Sequence, residues 1–83
     1  MKISEFFKTH DWCQKASARD ADGLPVDPYS DLAVAWCLFG AICKLKLDMA
    51  LLYERENRSW VSYNDIPGMS KEILIAELEK FGC

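Results

Sequence analysis

Asp31–Leu45 reads DLAVAWCLFGAICKL, and the twelve residues Leu32 to Cys43 contain no charge and no strongly polar side chain. Fully apolar runs are buried strands or buried helices, and periodicity alone does not separate the two. Composition favours a helix. Ala33, Ala35 and Ala41 with Leu32 and Leu38 are strong helix formers, and the run outlasts an ordinary strand. Ser30 and Asp31 offer oxygens to the first free N–H groups. Lys44 and Lys46 stand where a helix dipole is negative. A membrane span needs ~20 apolar residues, so this run is too short for one. The expectation is a mainly α fold, a single helical domain over 1–83 built around a central buried helix at about 31–45. Gly40 inside it is expected to mark the close approach of another backbone.

The rest of the chain is expected to wrap around this stretch. Ile3, Phe6 and Phe7 fall at i, i+3 and i+4, which predicts a short amphipathic helix over Ile3–Thr9. Residues 13–26 read as a short β-hairpin or irregular loop turning at Asp20-Ala21-Asp22-Gly23, where Asp opens and Gly closes the turn. As a calcium loop the same string fails. With Asp20 first, loop positions 6 and 12 hold Pro25 and Asp31 in place of the required Gly and Glu. Leu47–Arg58 predicts a second major helix. Ser59–Met69 reads as a loop, and Ser70–Phe81 as a last helix capped by Ser70, with Ile73, Leu74, Leu78 and Phe81 on its buried side.

Bulk numbers limit the function classes. A chain of 83 residues, 51% hydrophobic, is one globular domain with a thin stability margin. Net charge is −3, and the ten basic residues are scattered. That spread lacks the basic stripe of a nucleic-acid binder, so no nucleic acid and no membrane is expected as partner. Asp20, Asp22, Asp27 and Asp31 cluster, which suits basic or neutral partners. The N-terminal MKISEFFKTHDW lacks the apolar core of a secretory signal. The expected location is the cytoplasm, with Cys13, Cys37, Cys43 and Cys83 as reduced thiols. There the Asn57-Arg58-Ser59 sequon is not used.

Catalytic and metal chemistry finds little footing. His10 is the only histidine, and nothing in the spacing joins it to a thiol. Cys37 and Cys43 are six residues apart, ~9 Å and ~240° around an intact helix, so they do not pair with each other. They read as small core hydrophobes. No C-x₂-C pair suggests zinc. No phosphate loop, nucleophile elbow or H-E-x-x-H occurs. The chain is therefore expected to be no enzyme and to use no cofactor and no metal.

Three segments recur together in a way that resembles a known group. They are Trp12-Cys13-Gln14 followed by Ala18–Gly23 (ARDADG), then Ala33–Ala41 (AVAWCLFGA), then Asn64-Asp65-Ile66-Pro67-Gly68. Their order is similar to that of a family of small uncharacterised bacterial and phage proteins with W-x-Q, A-x-x-W-C-L-x-G-A and N-D-x-P-G segments. The resemblance spans Trp12 to Leu78, with Asp11 where that family often has glycine. It implies a bacterial or phage intracellular setting and carries no activity.

The function expected from these observations is a non-enzymatic protein-interaction module, a phage-encoded accessory protein that binds and modulates a host protein. Its candidate contact residues are Trp60, Tyr63, Asn64 and Asp65, with Asp20 and Asp22 at the hairpin tip. Asn64 and Asp65 also suit a purely turn-forming role. The alternatives are a self-associating homodimer and, third, a thiol or metal protein built on Cys13, Cys83 and His10.

Overall fold

The computed structural model describes residues 1–48 and 59–83. The fold is α/β. In chain order the elements are α1 (Ile3–Thr9), β1 (Asp11–Trp12), β2 (Ala18–Arg19), β3 (Pro25–Val26), β4 (Ala35–Trp36), α2 (Leu38–Leu45), α3 (Trp60–Asn64) and α4 (Lys71–Lys80). The four strands form one mixed sheet in the order β1-β4-β2-β3. β1 runs parallel to β4, whereas β2 is antiparallel to both β4 and β3.

The expectation of a mainly α fold is therefore corrected, and the correction falls on the central stretch. Asp31 and Leu32 lie in a turn, Ala35–Trp36 is an inner strand, and only Leu38–Leu45 is helical. Ala35 pairs with both Asp11 and Arg19, and Trp36 with both Trp12 and Ala18. Trp36 and Cys37 at the end of the strand and Leu38, Gly40, Ala41 and Ile42 of the helix are all buried, so the apolar run passes from one to the other without a polar break. The change occurs at Cys37, whose Sγ accepts the Gly40 N–H at 3.3 Å and caps α2. At the far end Lys46 takes the left-handed conformation at φ 57°, and Leu47 N–H donates to Ile42 O at 3.0 Å, closing the helix.

Gly40 has the expected cause. A Cβ there would overlap Ser17 O and stand 2.8 Å from the Ser17 carbonyl carbon, so α2 rests directly on the backbone that leads into β2. The hairpin also forms, with Gly23 at φ 82° in its turn, but its strands belong to the larger sheet. α1 covers the expected residues and buries Ile3, Phe6 and Phe7 against α4 and α2. Ser70 caps α4 through its hydroxyl, which accepts Ile73 N–H at 3.2 Å. Leu74 and Leu78 are fully buried there, whereas Ile73 is half exposed.

The segment read as a loop from Ser59 contains α3. Trp60 lies 1% exposed in the core, its ring edge-on to Tyr63 and Phe81 at centroid distances of 5.7 and 5.8 Å. The helix expected over Leu47–Arg58 lies, from Met49 onward, outside the described residues, as do Asn57 and Arg58 of the sequon. Leu47 and Asp48 are not helical.

Candidate functional site

The segments Trp12–Gly23, Ala33–Ala41 and Asn64–Gly68 meet at Asn64. This side chain is 1% exposed at the end of α3. Its Oδ1 accepts Trp12 Nε1–H at 2.7 Å and Leu38 N–H at 3.0 Å. Its Nδ2 donates to Cys13 O at 3.3 Å and to Asp65 Oδ1 at 3.0 Å. An amide side chain has two donors and room for two acceptor contacts, and all are used. Gln14 Nε2 adds bonds to Asn64 O at 2.9 Å and Ile66 O at 3.0 Å, and Lys15 N–H donates to Asp65 Oδ1 at 3.0 Å. The W-x-Q segment, the start of α2 and the N-D corner are thus one buried polar joint. Sequence alone does not single out Trp12, Gln14 and the Leu38 amide as site residues, because their partners lie 26 to 52 residues away.

Beside the joint is a shallow cleft of about 250 Å³ lined by Lys15, Ala16, Ser17, Cys37, Phe39, Val61, Asn64 and Asp65. It is small against a typical ligand pocket. The N-terminus of α2 at its edge already has Leu38 N–H on Asn64 and Gly40 N–H on Cys37. Burial, and then the neighbouring Cys37, push the Cys13 thiol up to about 11. Burial raises Cys37 as well. Both are protonated at neutral pH, unlike a nucleophilic cysteine. His10 stacks on Phe6 at 4.1 Å, and its Nδ1 lies 2.9 Å from Phe6 O. Among the described residues no group of three or more His, Cys, Asp or Glu side chains converges to hold a metal ion.

Two of the six expected contact residues are not at the surface. Trp60 and Asn64 are core residues and present no side chain to a partner. Tyr63 and Asp65 are partly buried, with the Tyr63 hydroxyl 3.3 Å from Glu77 Oε2. Asp20 and Asp22 remain at the hairpin tip. Asp20 Oδ1 accepts the N–H groups of Asp22 and Leu24, each at 2.9 Å, and so shapes the turn, while Asp22 is exposed.

Asp20 and Asp22 open a distinctive segment. Residues 20–34 contain Asp20, Asp22, Asp27 and Asp31 and no Lys or Arg. A chain net charge of −3 then leaves +1 for everything else. The same segment exposes Leu24 at 60%, Tyr29 at 56%, Leu32 at 66% and Val34 at 46%. Leu24 and Val34 flank β2, since Asp20 N–H donates to Leu24 O and Val34 N–H to Arg19 O, each at 2.9 Å. Arg19, the nearest cation in sequence, is turned onto Gly23 O and Gln14 O at 2.8 and 3.1 Å. Tyr29 and Leu32 sit in the turns joining β3 to β4. These turns are fixed by Asp27 Oδ1 accepting Tyr29 N–H, by Ser30 Oγ accepting Leu32 N–H, and by Trp36 Nε1–H donating to Pro28 O.

No protein-family model, curated protein sequence or solved structure matches the chain. Among the described residues no helix is long and apolar enough to cross a membrane.

Proposed function

We propose that this chain is a non-enzymatic interaction module that binds a basic, apolar-bearing segment of a partner protein on the face formed by residues 20–34. The observation that carries this reading is the coincidence of four carboxylates, no cation and four exposed apolar side chains in one turn-braced segment. Exposed apolar side chains interspersed along the segment with like charges suit a partner that supplies both apolar contact and the opposite charge. Asp20 and Asp22 keep their place in the reading. Trp60 and Asn64 become the scaffold beneath it. The three-segment resemblance supplies only a bacterial or phage intracellular setting; within it we place a phage-encoded accessory protein acting on a host protein.

Self-association through the same face is disfavoured by its charge. A two-fold contact would set four carboxylates against four, and like charges placed together oppose association. The test is affinity capture from bacterial lysate with wild type beside an Asp22→Lys/Asp31→Lys variant shown to be folded. A partner with a basic surface that is held by wild type, released by salt and lost by the variant supports the reading. Equal capture by both proteins refutes the face. A concentration-dependent dimer mass for the wild type would favour the homodimer.

A further inference from the structure

The register of the sheet sets two thiols side by side. In the parallel pair, Asp11 stands opposite Ala35 and Trp12 opposite Trp36. The next position on each strand is a cysteine, Cys13 on one and Cys37 on the other. The ladder reaches this level, since Cys13 N–H donates to Trp36 O at 3.0 Å. Cys37 is still extended, at φ −83° and ψ 178°. Neighbouring strands lie ~4.8 Å apart, and directly paired residues project to the same face. A disulfide needs Cα atoms about 4.4–6.8 Å apart, so a continued ladder meets that requirement. The thiols are also near enough that a charge on Cys37 acts on Cys13, and Asp65 acts on both. Cys37 lines the cleft beside the joint, which gives a small reagent a way in.

We infer that Cys13 and Cys37 form a modification site, a dithiol that a low-molecular-weight disulfide oxidises to an intramolecular cross-strand disulfide. In the first step one cysteine thiolate attacks a sulfur of R–S–S–R. The S–S bond breaks, RS⁻ leaves, and a mixed disulfide remains on the protein. The second cysteine then attacks the protein sulfur of that mixed disulfide and expels the other RS⁻. The two thiol protons end on two RSH. The pair has lost two electrons, and R–S–S–R has gained them. Because the thiolate is the attacking species, the raised thiol pKa values make closure slow at neutral pH. The rate rises about tenfold per pH unit across pH 7 to 9, in step with the thiolate fraction. The closed bond would tie β1 to the start of α2, directly beside Asn64.

The experiment treats the full chain with oxidised glutathione at pH 7, 8 and 9, followed by intact mass, thiol alkylation after denaturation and peptide mapping. The expected product is monomeric and lighter than the reduced chain by two hydrogens. Two of its four cysteines are protected, and the linked peptides are those of Cys13 and Cys37. It melts higher than the reduced chain by roughly 10 °C or more, as closing a loop of this length predicts. A Cys43→Ser/Cys83→Ser double variant still closes the bond, whereas Cys13→Ser and Cys37→Ser each stop at a mixed disulfide. Any of three results overturns the inference: mixed disulfides that never close in the folded double variant, a linkage mapping to another pair, or a disulfide-linked dimer as the main product.

Discussion

Asn64 joins three parts of the chain through one amide, and its chemistry is demanding because both ends are used. Truncation to alanine would leave the Leu38 and Trp12 N–H groups facing an empty space. Each buried unsatisfied group costs about 1–3 kcal/mol, so Asn64→Ala should lower the unfolding free energy by about 2–5 kcal/mol in urea titration. Asn64→Asp keeps the acceptor oxygen but replaces Nδ2 with a second oxygen that faces Cys13 O and Asp65 Oδ1. It should be at least as destabilised at neutral pH and should recover in part on acidification, when the new carboxyl can donate. If the two variants were equally stable at pH 4 and pH 7, the donor half of the joint would be unimportant. Cys13 makes a second prediction at this scale. Its thiol ionises near 9.0 when unfolded and near 11 when folded, so the folded state binds the proton more tightly. The associated stability is full below pH 9 and falls away between pH 9 and 11. It amounts to about 1–2 kcal/mol once solvent screening of this partly exposed group is allowed for. Melting curves of wild type and Cys13→Ser across that window should converge as pH rises, with wild type losing the larger share.

At the scale of elements, the local features of the sequence are legible and the long-range ones are not. α1 and α4 declare themselves by apolar spacing and by the Ser70 cap, and the Asp20–Gly23 turn by its residues. These are decided within a few neighbours. β4 is different. Ala35 and Trp36 are extended because β1 and β2 offer them partners on either side, and no neighbouring residue signals that. An inner strand followed at once by a buried helix looks like one apolar run. α3 does carry a signal, since Trp60, Tyr63 and Asn64 stand at i, i+3 and i+4, but the Asn-Asp-Ile-Pro-Gly punctuation after it favours a loop. The proposed contact face lies away from residues 60–65 for a related reason. Trp60 is packed edge-on against Tyr63 and Phe81, and Asn64 and Asp65 bond to Trp12, Cys13 and Lys15, partners that are invisible from the 60–65 segment alone. Gly40 marks where two elements touch. A methyl group at this position would occupy the space of the Ser17 carbonyl oxygen, so Gly40→Ala must push α2 off the start of β2. Alanine's better helix propensity, worth ~1 kcal/mol, should be outweighed. The expected net loss is about 2 kcal/mol or more in chemical denaturation, and an unchanged or raised stability would contradict the close approach.

For the molecule as a whole, the separation of charge matters more than its total. The 20–34 segment holds −4 while the remainder holds +1. Asp22 and Asp31 are exposed, so reversing them should alter stability by no more than about 0.5 kcal/mol. Partner association should slow and lose its salt dependence, because rim charges act mainly on the on-rate. Surface plasmon resonance at two ionic strengths separates these effects, and unchanged salt dependence would locate the electrostatics elsewhere. The Asn64 joint has a further consequence, in the order in which the chain is made. Translation delivers Trp12 first and Leu38 next, and both wait for an acceptor that arrives only with residue 64. A nascent chain stopped short of that point can make the hairpin turn but lacks the amide that ties β1 to the start of α2. The native joint therefore closes only once residue 64 has emerged from the ribosome, whatever the hairpin and the first helix have done before then.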